Sequence, residues 1–373
     1  MRATKICCTA TWTRPRFLTH ANSAIPFSEN PGYMWTIFGQ DHLLNRIEPS
    51  LLQRRQSHAY LLSGPPHVGK MALALNLAQA VNCLEGPSVP CGSCNQCTRI
   101  AQGHHAGIFV LFPGQEIDGE RSPKTVIGID AIREATRRVS LNPYEGSFNV
   151  VIIDGAEAMS EDASNAFLKT LEEPPPHSLF ILLTANEDAV LPTVGSRCQS
   201  MGLAPLSKDA MVEILINERQ TTPDQAEQLF RLSRGCLGWA INALDDDQVL
   251  EQRQADLEKM QETLSAGLET RFTYANEVAT LFGNDRDAAK ALLALWLRWW
   301  RDLLLIKEGA DEFLHNSDYA EFLSSQASTL STAEIVLFIN RVMQTLSDLD
   351  SNVSPRLAME VLMLNLPIEA GQV

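Results

Sequence analysis

The stretch His58-Ala59-Tyr60-Leu61-Leu62-Ser63-Gly64-Pro65-Pro66-His67-Val68-Gly69-Lys70-Met71 decides the fold. His58 to Leu62 is a short apolar run, which reads as a buried strand. A loop rich in glycine and proline follows, and Met71 to Val81 then carries alanines and leucines that favour a helix. Gly64 to Lys70 fits G-x-x-x-x-G-K between that strand and that helix, the context a phosphate loop requires. Gly64 and Gly69 let backbone N–H groups turn inward around phosphate oxygens, and Lys70 supplies a point charge. The next position matters more. A loop that handles Mg²⁺ places Ser or Thr there, because the hydroxyl ligates the metal. Met71 offers a thioether, a poor ligand for a hard cation.

Working outward, Leu43, Leu44, Ile47 and Leu51 fall at helical spacing within residues 37 to 54. A polar passage with Gly103, Gly107, Gly114 and Gly119 leads to a helix for which Asp130 is the expected N-cap. Residues 148 to 154 (Phe-Asn-Val-Val-Ile-Ile-Asp) read as a second buried strand. Ser160 caps a helix to Leu171 that stops before Pro174-Pro175-Pro176, and Leu179 to Thr184 is a third strand. Strands alternating with helices predict an α/β domain with a parallel sheet covered on both faces. After Leu203 strand signals fade. Lys208 to Leu244 reads as a small helical unit, Asp245-Asp246-Asp247 as a hinge, and the remainder as helical.

The 373 residues suffice for two or three domains. With 30 basic and 45 acidic residues the formal charge is −15, which argues against a stand-alone nucleic-acid binder. The most apolar late stretch, Ala291 to Trp300, is short and carries Arg298, so no membrane association is expected. Residues 1–33 are acid-poor and contain Arg2, Lys5, Arg14 and Arg16. They read as a disordered extension ahead of a start at Met34, with an organelle transit peptide as the alternative.

Of eight cysteines, Cys83, Cys91, Cys94 and Cys97 crowd together. In a long chain that spacing reads as a metal site in a reducing compartment rather than a disulfide framework. Four thiolates would close a tetrahedral shell around one Zn²⁺, leaving no open position, so the metal would be structural. Pro87, Pro90 and Gly92 permit the tight turns. A nucleic-acid ribbon is the alternative, but only Arg99 lies close. Cys198 and Cys236 read as core residues, and His104-His105 as solvated.

Asp154 ends the second strand where an acidic residue would hold a metal. Hydrolytic relatives of this fold class follow it with a Glu that activates water. Here Gly155 stands in that place, and Glu157 is offset by two residues, pointing elsewhere.

Residues 165 to 175 (Asn-Ala-Phe-Leu-Lys-Thr-Leu-Glu-Glu-Pro-Pro), preceded by Val151-Ile152-Ile153-Asp154 and followed by Leu183-Thr184-Ala185-Asn186 and Ser196-Arg197-Cys198, resemble the clamp-loader branch of the AAA+ ATPases. The four-cysteine insert fits the bacterial members, and Arg298 with Asp302-Leu303-Leu304-Leu305 resembles their collar domain. The resemblance runs from Met34 to the end. It implies an AAA+ P-loop domain over 34–203 with a zinc module at 83–97, a helical lid over 204–247 and a helical collar over 248–373. It also implies a cytoplasmic subunit of the DNA polymerase III clamp loader, partnered by gamma/tau and delta subunits, the sliding clamp and, through the complex, primed DNA.

Met71 and Gly155 depart from the hydrolysing pattern, and Trp239 stands where the family's sensor-2 arginine would follow Gly238. These departures fit a stator that binds ATP weakly or not at all and is no enzyme by itself, against the alternative of a gamma/tau-type ATPase. Arg197 in Ser196-Arg197-Cys198 would be an arginine finger supplied in trans to a neighbour's ATP. A guanidinium fork stabilises the charge that spreads over the γ-phosphate oxygens, and lysine lacks that planar geometry. Outside the family context it would read as a surface salt bridge. Leu293, Trp296, Leu297, Trp300 and Leu304 form an apolar helical stripe, read as core or subunit interface. For Arg133, Arg137 and Arg138 two readings stay open, contact with DNA inside a ring or a solvated face.

Overall fold

The computed structural model describes residues 35–86, 89–117, 120–121, 125–351 and 353–367. The expectations for residues 1–33, the Met34 start and the turn role of Pro87 lie outside them.

Five strands form one parallel sheet in the order β2 (Ile108–Leu111), β5 (Asn149–Asp154), β6 (Ser178–Thr184), β1 (Ala59–Ser63) and β7 (Gln199–Gly202). A two-stranded antiparallel ladder pairs β3 (Glu116–Ile117) with β4 (Glu120–Arg121). The period of two along each strand distributes side chains to opposite faces. Tyr60, Leu62, Val150, Ile152, Leu179, Ile181 and Leu183 meet Leu43, Ile47 and Leu51 of α1 (Asp41–Leu52), and Leu73 and Leu77 of α2 (Lys70–Asn82). Leu61, Val151, Ile153, Phe180 and Leu182 face the other way. They meet Ala131 and Ile132 of α4 (Ile129–Val139), and Ala163 and Phe167 of α5 (Glu161–Glu172). Between β1 and β2 lies α3 (Asn95–Ala101), which bears Cys97. Burying one such aliphatic or aromatic side chain contributes about 1.5–3 kcal/mol, so two filled faces fix the sheet. Phe167 and Phe180 stack edge to face at 5.2 Å.

The expected α/β class with a sheet covered on both faces is therefore present. Two of its strands carried too little signal to be expected. β2 and β7 are four residues each: β2 is a short apolar run inside a glycine-rich polar passage, and β7 (Gln-Ser-Met-Gly) has no apolar run at all. The N-cap of α4 is Gly128, with Asp130 one position inside the first turn, where it favours the dipole without capping. Ser160 does cap α5, its Oγ accepting from Ala163 N–H at 3.1 Å.

After α6 (Pro192–Gly195) and β7, the chain is helical. A small core of Met211, Leu215, Ala226, Leu229, Ala240 and Ala243 joins α7 (Lys208–Arg219), α8 (Pro223–Ser233) and α9 (Leu237–Asp245). A separate, larger core joins α10 (Gln248–Ser265), α11 (Leu268–Asn284), α12 (Arg286–Lys307), α13 (Ala320–Thr329), α14 (Thr332–Asp350) and α15 (Pro355–Leu364). Trp296, Trp299 and Trp300 of α12 are its largest fully buried side chains, so the stripe read from the sequence is mainly core. Asp302 is wholly buried there and is satisfied by the backbone N–H groups of His315 and Asn316 and by the Asn316 amide. Among the described residues no single helix is long and apolar enough to cross a membrane.

Candidate functional site

β1 runs into the loop 64–69 at the carboxyl edge of the sheet, and α2 starts at Lys70. Gly64 (φ 150°) and Gly69 (φ 110°) hold left-handed conformations. A Cβ at Gly64 would stand 2.6 Å from the Leu203 carbonyl oxygen, so only glycine fits. The Lys70 ammonium does not project into the loop's mouth. It donates to the loop's own carbonyls, Gly64 O at 2.6 Å and Pro65 O at 3.0 Å. Burial holds its pKa below the ordinary lysine value, against the opposing carboxylates of Asp154, Glu157 and Asp287. The Met71 side chain packs against the core on the α2 face of the sheet, with no polar atom suited to a metal.

Asp154, at the end of β5, has its pKa pushed up to about 6, first by burial and further by Glu157 and Asp287, while Lys70 pulls the other way. Gly155 follows at φ 81°, a conformation that strains any L side chain. A catalytic glutamate there would need a different backbone. Glu157 does not point elsewhere as the offset suggested: a 3-10 turn over Ala156–Ala158 swings it back to the strand ends. Its Oε1 accepts from Ala185 N–H at 3.1 Å, and its charge reaches both Lys70 and Asp154.

The first turn of α9 closes over the loop. Gly238 N–H donates to His67 O at 3.0 Å, and a Cβ on Gly238 would come within 2.7 Å of that oxygen. The next residue, Trp239, packs into the small helical core rather than toward the loop. The His67 imidazole is held below its usual pKa by burial and by Lys70.

Arg197 lies at the other end of the sheet. The parallel register pairs Tyr60 with Gln199 and Ser63 with Gly202, so a residue just before β7 sits at the amino edge, away from the loop after β1. The rise along β7 is about 3.3 Å per residue. α5 leaves β5 at the carboxyl edge and returns to start β6, so its last residue, Glu172, also ends at the amino edge. There Glu172 Oε1 accepts from Arg197 Nη2 at 2.5 Å and Nε at 3.1 Å, and Thr193 O accepts from Nη1 at 2.9 Å. The Arg197 side chain is 34% exposed. Sequence reading singled out the arginine and missed this partner, because only the β-α-β topology brings the two together.

The Sγ atoms of Cys83, Cys91, Cys94 and Cys97 lie within 4.8 Å of one another. A tetrahedral zinc with bonds of about 2.3 Å sets its thiolates roughly 3.8 Å apart, and Cys91 and Cys97 stand at 3.9 Å. Burial opposes ionisation of Cys91, yet N–H donors from Cys94 and Ser93 and the neighbouring thiols draw its pKa down to about 6. Cys94 is the N-cap of α3 and accepts from Cys97 N–H. The four thiols fit a structural zinc ion. Behind them Gln79 of α2 donates to Cys97 O at 2.9 Å, and Asn76 donates to Gln79, which ties the cysteine module to the helix that follows the loop 64–69. His105 is buried, not solvated: its Nε2 meets Gln96 Oε1 and its Nδ1 accepts from Gly107 N–H. Arg133 pairs with Asp130, and Arg137 and Arg138 with Glu134, so this basic face is spent largely on its own helix.

Comparison with known proteins matches residues 39–207 to the family described as "DNA polymerase III, delta subunit" and residues 251–367 to "DNA polymerase III, delta subunit, C terminal". The chain is 29% identical over 327 residues to the DNA polymerase III subunit delta' of Bacillus subtilis, covering 88% of this chain and 96% of that one. It is 30% identical over 271 residues to the DNA polymerase III subunit gamma of Buchnera aphidicola, covering 71% of each. A solved structure of a gamma subunit-related protein from Thermotoga maritima aligns over 87% of this chain and 97% of that one, at 18% identity and a TM-score of 0.38. By the two family matches and the two sequence relatives, the chain belongs to the clamp-loader subunit family of DNA polymerase III.

Proposed function

We propose that this chain is the non-hydrolysing, delta-prime-type stator of a DNA polymerase III clamp loader, with Arg197 as the finger it lends to an adjacent ATPase subunit. The observation that carries the reading is the split between the two ends of one sheet. At the carboxyl edge Lys70 is engaged by its own loop, Met71 replaces the metal-binding hydroxyl and Gly155 replaces the water-activating glutamate. At the amino edge Arg197 is exposed and too far from Lys70 to serve the same chain's loop. On this reading residues 34–203 are the AAA+ domain, 204–247 the lid and 248–373 the collar that joins neighbouring subunits. Gly64, Gly69, Lys70 and Asp154 are a vestigial phosphate site that binds ATP weakly or not at all, and Cys83, Cys91, Cys94 and Cys97 hold a structural Zn²⁺. The partners are gamma/tau and delta subunits, the sliding clamp and primed DNA reached through the complex, in the cytoplasm.

The second reading, a gamma/tau-type ATPase, draws support from the 30% identity to a gamma subunit. Reconstitution separates the two. The chain should assemble with the ATP-hydrolysing subunits of its own organism, and Arg197→Ala should leave assembly intact while slowing ATP turnover by the complex. Unchanged turnover would remove the finger role.

A further inference from the structure

The guanidinium of Arg197 is already held. Its Nε and Nη2 both donate to Glu172 Oε1, at 3.1 and 2.5 Å, and its Nη1 donates to Thr193 O at 2.9 Å. Nε and Nη2 form the edge of the fork that grips a planar or tetrahedral oxyanion with two parallel bonds. That edge is therefore occupied by a carboxylate of this chain. Glu172 is 52% exposed and Arg197 34% exposed, so water and a neighbouring subunit can both reach the pair. The backbone contact with Thr193 does not compete for the same edge, and it keeps Nη1 anchored when the carboxylate lets go.

Resting on the finger reading, we propose that Glu172 is a positioning residue that latches Arg197 at the amino edge, and that a neighbour's phosphoryl group must displace it before the finger acts. The triphosphate is the stronger competitor, because it presents more charge and a second oxygen to the fork. Glu172 thus keeps the guanidinium folded back and ordered when no nucleotide faces it, and yields when one does. An exposed ion pair of this kind is worth up to about 1 kcal/mol. Releasing it therefore changes the rate by up to about five-fold, since roughly 1.4 kcal/mol is tenfold.

The test is a double-mutant cycle in the clamp-loader complex reconstituted with the ATP-hydrolysing subunits of the same organism, read as single-turnover ATP hydrolysis. Glu172→Gln keeps the size of the side chain and removes its charge. The latch predicts a rise of about two- to five-fold for Glu172→Gln, a large drop for Arg197→Ala, and no effect of Glu172→Gln once Arg197 is alanine. The thermal melt of Glu172→Gln should match the parent, because the pair is on the surface. A drop with Arg197→Ala but an unchanged or lower rate with Glu172→Gln overturns the latch and leaves the finger. No drop with Arg197→Ala removes the finger, and the latch with it. A rise with Glu172→Gln that persists in the Arg197→Ala background also overturns the latch, since the carboxylate would then act through something else.

Discussion

The two edges of the parallel sheet carry the same kinds of group in opposite states. At the carboxyl edge a lysine, two carboxylates and a glycine-framed loop are turned in on themselves. Lys70 is bonded to its own loop, Asp154 is half-buried with a raised pKa, and α9 is pinned over His67. At the amino edge one arginine and one carboxylate stand at the surface, joined by an ion pair that costs little to break. The difference teaches which chemistry each edge can do. A half-buried, self-satisfied loop resists opening, because each hydrogen bond broken must be replaced by another. A half-exposed arginine whose Nε and Nη2 meet one carboxylate, with Nη1 on a backbone carbonyl, can change partners.

The sharpest way to break this comparison is at Arg197. If it serves a neighbour's triphosphate, Arg197→Ala should lower hydrolysis at that one intersubunit site by roughly 10³-fold or more, while turnover at other sites in the complex continues. Rapid-quench measurement of the burst amplitude separates the two.

The next effect is at the cysteine module, which is tied through Gln79 and Asn76 to the later turns of α2, toward the amino edge. Elemental analysis should find about one zinc per chain. Cys97→Ser, at a fully buried ligand position, should abolish the metal and lower the melting temperature by several degrees. Full stability without metal would contradict a structural zinc.

A smaller effect concerns Asp154. Its pKa in the folded chain, about 6, lies above the ordinary 3.8. The folded state therefore holds the proton more tightly, and ionising this group costs stability as pH rises from about 4 to 6. Asp154→Asn should stabilise the chain at pH 7 by about 1–3 kcal/mol, and the gain should vanish below about pH 4. Denaturant melts across that range test it. Destabilisation at pH 7 would mean that the carboxylate is used as a charge.

The most local effect is expected at Gly238. An added methyl would press on the His67 carbonyl, so Gly238→Ala should cost about 1–3 kcal/mol locally and raise amide exchange in the first turn of α9, with little change in global melting.

How far the sequence reveals these features depends on how local they are. The strand-loop-helix around Gly64 to Lys70, the continuous apolar runs of β5 and β6, and the cap at Ser160 are set by neighbours within a few residues, and all were legible. Met71 and Gly155 could be read as losses, though not the φ of 81° that makes a side chain at 155 costly. The contacts that define the states of the two edges span long separations. Glu172 meets Arg197 across 25 residues, and Gly238 reaches His67 only after helices α7 to α9 fold back. His105 looked solvated because it stands among glycines, yet Gln96 and Gly107 enclose it. No periodicity encodes such pairings; the order of strands in the sheet does.

The central claim, that this chain spends no ATP of its own, is tested most directly by Mg²⁺-dependent ATP turnover of the purified chain beside its Lys70→Ala variant. The account predicts the same background rate for both, with turnover appearing only when ATP-hydrolysing partner subunits are added. Turnover by the isolated chain that disappears with Lys70→Ala would contradict it.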